Sequence, residues 1–241
     1  MTGSLAVVVM AAGEGRRLRP VTDAYAKPVL PIDGRPVLAT LLRELASAGL
    51  TRVTVVVGHL GRQIEALVGD GAGFGLELRF VLQPEPLGSA DAVLRASLDP
   101  PYLVLAADTV FREGDIACFA ETFLASGAAG AIAVRGHPNK DPILIEDGRV
   151  RRVQDRDGPG PLSGAPLWAL DEEITRCLAR DRPPYELALA YQRAIDAGAD
   201  VLAVEIGNTR DLTDSVDLAR ENFPYLSALT DLVAQGYEVG L

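Results

Sequence analysis

Cysteine, lysine, histidine and aromatic residues are all scarce in this chain, and the scarcities are informative. Only two cysteines occur, Cys118 and Cys177, far apart and without a partnering pattern. They exclude a disulfide framework and read as reduced thiols of a cytoplasmic protein. The two histidines carry little: His59 follows an apolar run and a glycine, as a turn residue does, and His137 lies in an irregular segment. Aromatic residues make up 5% of the chain, few for a cage around a quaternary amine. No apolar run is long enough to span a membrane. The apolar start, Leu5 to Met10, is short, gives way to glycines and charges, and lacks the basic flank and small-residue cleavage site of a signal peptide. Internal repeats, long linkers and low-complexity tracts are also missing.

A net charge of −10 argues against a nucleic acid polymer as partner, because phosphate backbones need a basic surface. The charge is uneven. Residues 1–52 carry seven basic and four acidic groups, while the remainder is strongly acidic. A basic patch on an acidic protein suits a small anionic ligand.

Hydrophobic residues make up 48% of the chain, ample for a buried core. Leu5–Met10 reads as a strand. Pro36 to Ala48 reads as a helix, with Pro36 in its first turn and Gly49 after its end. Val53–Val57 is a β-branched run of the kind a buried parallel strand shows. A short helix carries Ile64, Leu67 and Val68 on one face. Leu76, Leu78, Phe80 and Leu82 alternate as in a strand. A helix over Ser89–Ser97, a strand over Tyr102–Ala107 and a helix over Ile116–Leu124 continue the pattern. The fold class is therefore α/β, Rossmann-like, with a mostly parallel sheet and helices on both faces. The second half is less regular. Strands Ile143–Glu146 and Val150–Val153 flank an Asp147-Gly148 hairpin turn. Gly158-Pro159-Gly160-Pro161 reads as a loop. A strand Pro166–Leu170, a helix near Glu186–Ala197 and a strand Val201–Ile206 follow.

The densest signal is Ala11 to Pro31. The first strand opens into Gly13-x-Gly15, a loop whose backbone N–H groups no side chain obscures. Arg16, Arg17, Arg19 and Lys27 crowd the same segment. Among 23 basic residues only Lys27 and Lys140 are lysines, so Lys27 is a marked choice. A compact ammonium reaches where a planar guanidinium does not fit. Strand, glycine loop and cations together suit a polyphosphate. A dinucleotide-binding fingerprint is excluded, since its third glycine would fall at Leu18.

These residues resemble the sugar-1-phosphate nucleotidylyltransferase family. The resemblance rests on Gly13-x-Gly15-x-Arg17-Leu18-Arg19-Pro20-x-Thr22, Lys27-Pro28-x-x-Pro31 and Gly34-x-Pro36-x-Leu38. Three further blocks match: Gln83-Pro84-x-Pro86-Leu87-Gly88-Ser89-Ala90-x-Ala92, then Val104 to Asp108, then, loosely, Glu205 to Leu212. The match is strong to about residue 110 and weaker beyond. It implies one nucleotidyltransferase domain over 1–241, with a nucleotide-binding half (1–110) and an acceptor-binding half (111–241) forming a small acceptor lobe. Hexapeptide repeats are missing, so no C-terminal β-helix is expected.

The resemblance also implies a reaction and roles. A sugar 1-phosphate attacks the α-phosphorus of a nucleoside triphosphate and pyrophosphate leaves. Arg17 and Lys27 would be catalytic, Arg17 on the triphosphate and Lys27 between the two reacting phosphates. Gly13 and Gly15 would hold the nucleotide's phosphates, Ala11 and Ala12 would also bind the nucleotide, and Gln83 and Gly88 would take its base, with a lean toward a pyrimidine. Asp108 and Glu205 would hold Mg²⁺, a hard cation that shares oxygen ligands with phosphates. Arg156 and Gly164 would lie against the acceptor, where Trp168 either walls the sugar pocket or belongs to the core. Arg16 either contributes to the phosphates or faces solvent.

The chain also departs from the family. Ala26 stands for a proline, Asn208-Thr209 for Thr-Pro, and Glu205 for the usual aspartate. The family's Glu-Lys-Pro segment has only Asp155-Arg156 as its nearest counterpart. These departures fall mainly on the acceptor side. They keep two alternatives open: the same chemistry on an alcohol phosphate such as phosphocholine, and a non-catalytic nucleotide-sugar-binding regulator. Partners other than nucleotide and acceptor are not expected, apart from a second subunit against Phe223 to Leu229 if those residues do not cap the core.

Overall fold

The computed structural model describes residues 5–136, 142–153, 162–178 and 185–223. A nine-stranded sheet runs through them. Its first four strands are β1 (Ala6–Ala11), β4 (Arg52–Val57), β5 (Glu77–Leu82) and β6 (Tyr102–Ala106). The rest are β8 (Gly130–Arg135), β9 (Ile143–Glu146), β10 (Arg149–Val153), β11 (Ser163–Leu170) and β12 (Val201–Glu205). Two small ribbons stand outside it: β2 (Pro31–Ile32) with β3 (Arg35–Pro36), and β7 (Thr109–Val110) with β13 (Arg210–Asp211).

The sheet order is β5-β4-β1-β6-β11-β8-β12-β10-β9. Pairings are parallel through β5, β4, β1 and β6, and again between β8 and β12. Only β10 and β11 run against the common direction. The sheet is therefore mixed but mostly parallel, as expected.

Helices cover both faces because each lends one apolar stripe to the sheet. On one face lie α2 (Val37–Ser47), α3 (Gly61–Val68) and α5 (Asp115–Ser126), packed through Leu38, Leu41, Leu42, Leu45, Ile64, Phe119 and Phe123. On the other lie α4 (Ser89–Ala96), α6 (Glu172–Arg176) and α7 (Leu187–Asp196), packed through Val93, Ile174, Leu187 and Tyr191. The Tyr191 hydroxyl, fully enclosed there, donates to Ala169 O at 2.7 Å, and burial pushes its pKa well up. A third small core, with Leu18, Leu30, Ile32, Val37 and Leu212, lies beside the short α1 (Val21–Ala24) and α8 (Ser215–Asn222). Among the described residues no helix is long and apolar enough to cross a membrane.

Three details correct the sequence reading. Leu82 is 61% exposed, because β5 is the sheet's edge and its last residue passes the core; Leu67 is exposed to a lesser degree, at 37%. Strand β8 was not expected: Gly130-Ala-Ile-Ala-Val-Arg135 is alanine-rich, without the β-branched run that marked β4, yet it is wholly buried. Helix α8 was also unmarked, although Asp214 and Asp217 close a capping box at its start. The Asp147-Gly148 turn is as expected, with φ of 51° and 72°, the positive pair that a tight hairpin requires. The Gly158–Pro161 loop lies outside the described residues.

Candidate active site

Strand β1 is flanked by β4 and β6, so the chain reverses its direction of travel across the sheet there. Open α/β sheets form a crevice at such a switch, beyond the carboxyl ends of the strands. A cleft of about 420 Å³ occupies this place. Its floor is Met10 to Gly13 from the end of β1 and Ala106 to Asp108 from the end of β6. Its walls are Gly15 to Leu18, Lys27 and Pro28 on one side, and Gln83, Pro86, Gly88 and Ser89 on the other.

The glycine loop has a built-in reason for its glycine. Gly15 has φ +63°, and a Cβ there would meet Thr22 Cγ2 at 2.9 Å. Thr22 Oγ1 donates to Gly15 O at 2.9 Å, and His59 Nε2 donates to Thr22 O at 2.9 Å. His59 is thus a positioning residue for the loop, in keeping with its turn reading. Gln63 does the same for the segment before Lys27: it accepts from Ala26 N at 2.9 Å and donates to Ala24 O at 2.8 Å.

The cations of this segment divide. Arg16 is paired to Glu14 at 2.8 Å and is largely solvent-exposed; Arg19 is held by Glu14 and Asp23. Arg17 has no hydrogen bond or ion pair among the described residues and lines the cleft. Lys27 Nζ is paired with Asp108 Oδ2, both side chains mostly shielded.

Gln83 is 6% exposed. Its Nε2 donates to Gly88 O at 3.0 Å and to Asp91 Oδ2 at 2.9 Å, and Asp91 is anchored in turn by Arg95 at 2.6 Å. Both amide protons are therefore engaged, which leaves Oε1 as the group free to accept. Gly88 has φ +119°, and any Cβ there would strike the Tyr185 backbone, with Tyr185 O only 2.5 Å away. The glycine is needed for the approach of that segment as well as for an open cleft wall.

A second cleft of about 240 Å³ adjoins the first. It shares Arg17, Lys27, Asp108 and Thr213, and adds Thr109, Ile132, Arg135, Ile143, Val153, Gly164, Trp168 and Asp211 among its walls. Gly164 lines this second cleft. Trp168 packs against the core and lines the same cleft. Arg156 lies outside the described residues.

Glu205 is not brought here. It is the exposed last residue of β12 and lines neither cleft. The chain then runs through 206–209 into β13, where Asp211 pairs with Thr109, next to Asp108. The carboxylate that lines the second cleft from this segment is Asp211, with Thr213 Oγ1 donating to it at 2.8 Å. Sequence reasoning also missed Arg135. The only signal for Arg135 was a charged group closing an apolar run, and Asp211 had none beyond its place in the loosely matching block Glu205 to Leu212.

Two adjoining clefts at a switch point, joined by Arg17, Lys27 and Asp108, form the candidate site of this α/β fold. The chain belongs to the nucleotidyl transferase family, whose model matches residues 6–143. It is 31% identical over 238 residues to a glucose-1-phosphate thymidylyltransferase of Streptomyces antibioticus, covering 92% of this chain and 66% of that protein. It is 30% identical over 229 residues to the enzyme of the same name from Streptomyces griseus, covering 88% and 64%. The chain therefore spans just under two thirds of the length of these relatives. Among solved structures, a UDP-glucose pyrophosphorylase complexed with UDP-glucose superposes with a TM-score of 0.78 at 16% identity, over 93% of this chain and 99% of that one. That likeness carries the fold alone.

Proposed function

We propose that the chain is a sugar-1-phosphate nucleotidylyltransferase, with the nucleoside triphosphate in the first cleft and the acceptor phosphate in the second. The observation that carries this reading is the shared wall: Arg17, Lys27 and Asp108 line both clefts, where two phosphates would have to meet. An oxygen of the acceptor phosphate attacks the α-phosphorus, a new P–O bond forms, and the bond to the β-phosphate breaks, releasing pyrophosphate. The attacking oxygen is already ionised, so no general base is needed. The residues must instead bring two anions together and offset their repulsion. Lys27, held by Asp108, sits where it would bridge them. Arg17, with no hydrogen bond or ion pair among the described residues, is available to the departing pyrophosphate. The backbone N–H groups from Ala11 to Gly15 would cradle the remaining phosphate oxygens.

Mg²⁺ fits this arrangement on one count: it is commonly bound by one or two carboxylates plus substrate phosphates, and Asp108 is a carboxylate at the junction. When bound it would offset phosphate charge. Among the described residues no cluster of three or more acidic, histidine or cysteine side chains forms a metal cage. A phosphate-completed site on Asp108 is consistent with that.

The fixed orientation of Gln83 supports a base with an N–H to give. An acceptor at Oε1 matches the imide of uracil or thymine. The relatives named as thymidylyltransferases point the same way. A phosphocholine acceptor is the weaker alternative. Trp168 and Asp211 line the second cleft, but so does the buried cation of Arg135, which would repel a quaternary amine.

The test is pyrophosphate release across the five common nucleoside triphosphates, each paired with several sugar 1-phosphates and phosphocholine, with and without Mg²⁺. Turnover with dTTP or UTP and a sugar 1-phosphate is expected. Silence on every pair, with tight nucleotide binding by calorimetry, would move the chain to the regulatory class.

A further inference from the structure

Arg135 is 4% exposed and is held only loosely. Its guanidinium reaches Thr209 O at 3.4 Å and Asp211 Oδ2 at 3.7 Å, both long for a charged donor. Among the described residues its Nε is buried without a partner, as are the hydroxyls of Ser163 and Thr209. Ser163 stands opposite Arg135 in the β8–β11 register, and Thr209 carries the carbonyl that Arg135 touches. Of these residues Arg135 lines the second cleft, beside Ile132, Ile143, Val153 and Trp168; Ser163 and Thr209 do not line it but adjoin Arg135. Buried polar groups are nearly always satisfied, so a cluster of unsatisfied ones that can donate is a place shaped for something absent. A guanidinium with hydroxyls beside it suits an oxyanion, which it can take through two parallel N–H bonds.

We propose that Arg135, with Ser163 and Thr209 beside it, forms an oxyanion subsite of the second cleft and selects acceptors that present an acidic group there. The proposal deepens the transferase reading and rests on it only in naming the ligand an acceptor. Two acidic groups share the required chemistry: the acceptor's own phosphate, and a carboxylate elsewhere on its sugar. Lys27 and Arg17 already stand at the junction, so a carboxylate at Arg135 would make the substrate an acidic sugar 1-phosphate.

Calorimetric titration of the full chain with glucose 1-phosphate, glucuronic acid 1-phosphate and glucose tests this without nucleotide or turnover. Trp168, the chain's one tryptophan, reports from the cleft by its emission. The wild type is expected to bind at least one of the two anionic ligands and not glucose. Arg135→Gln is expected to weaken that binding by about tenfold or more, and Arg135→Lys to recover part of it. Loss with both ligands assigns the phosphate to Arg135; loss with glucuronic acid 1-phosphate alone assigns the carboxylate. Unchanged affinity for both in Arg135→Gln overturns the proposal, as does a wild type that binds neither. Should circular dichroism show that Arg135→Gln does not fold, Ser163→Ala carries the test. An expected loss of about threefold then supports the subsite, and no loss overturns it. An Arg135-dependent anion site in a protein that never releases pyrophosphate would sink the transferase reading alone. Normal turnover with an indifferent Arg135→Gln would sink only the subsite.

Discussion

The two clefts share four residues and are otherwise built in opposite ways. The first is lined by many residues with little or no side chain: Ala11 at the end of β1, Ala12, Gly13 and Gly15 in the loop after it, and Gly88, Ala106 and Ala107 from other segments. The second is made of side chains brought from distant strands and helices, among them Ile132, Val153, Trp168 and Ala188. A ligand grasped by backbone N–H groups demands glycines at fixed spacing, and such a demand leaves a motif. A ligand grasped by side chains demands only that several elements end near one another. The contrast predicts that substitutions at the shared wall will disable both clefts, while those beyond it will affect one cleft only.

The largest effect should come from Lys27. Lys27→Ala removes the cation that would bridge the two phosphates and leaves Asp108 without its partner. We expect kcat to fall by about a thousandfold or more, the scale seen when a preorganised charge is lost at a reacting centre. Pyrophosphate release measures it, and an unchanged melting temperature shows that the fold survives. Near-normal turnover would remove Lys27 from the chemistry and break the claim of a shared wall.

Gln83→Ala should act on one cleft only. It removes the amide proposed to face the base and also a donor to buried Asp91. KM for the triphosphate is expected to rise by about tenfold, with KM for the acceptor unchanged. Equal rises in both constants would mean that the clefts are not separate subsites.

The legibility of the sequence follows the same divide. The strands β1, β4 and β6 announced themselves as apolar runs, and the switch point between them follows from their order. The glycine loop, Lys27, Asp108, Gln83 and Gly88 were all readable, and the structure gathers them in one cleft. Strand β8 was not readable, because alanine is no strand former and its burial comes from neighbours far along the chain. Arg135 was missed with it. Asp211 was passed over for Glu205 because spacing along a chain does not tell which residue of a strand-and-loop segment the ribbon with β7 turns inward.

That ribbon depends on a clamp whose loss is a smaller effect. Arg210 holds Asp33 through two bonds of 2.6 and 2.9 Å and also pairs with Glu221. It thereby ties β13 to the β2–β3 turn and to α8. The clamp is partly exposed, so Arg210→Ala should cost only about 1 kcal/mol, a fall in melting temperature of about 2–4 °C for a chain of this size. Arg210 holds the Asp33 carboxyl below its usual range. The contribution is therefore complete above the unfolded carboxyl's pKa, about 3.9, and is lost as pH falls through the lower folded value. The difference between wild type and Arg210→Ala should be full at neutral pH and should shrink in acid below that range. A difference that grows in acid would show that the carboxyl is not held by Arg210.

Glu205→Ala is expected to do least, and that makes it the sharper test of how the acidic segment works. Glu205 is exposed and lines neither cleft, so kcat and the dependence on Mg²⁺ should stay within about twofold, as for a surface change away from the site. Asp211→Asn, by contrast, alters a carboxylate that lines the second cleft and faces Arg135. Its effect should be the larger and should fall on the acceptor's KM. The reverse order, with Glu205→Ala crippling and Asp211→Asn silent, would mean that residues 206–209 rearrange when substrate binds. The resemblance to the family would then have read this segment better than its resting geometry does.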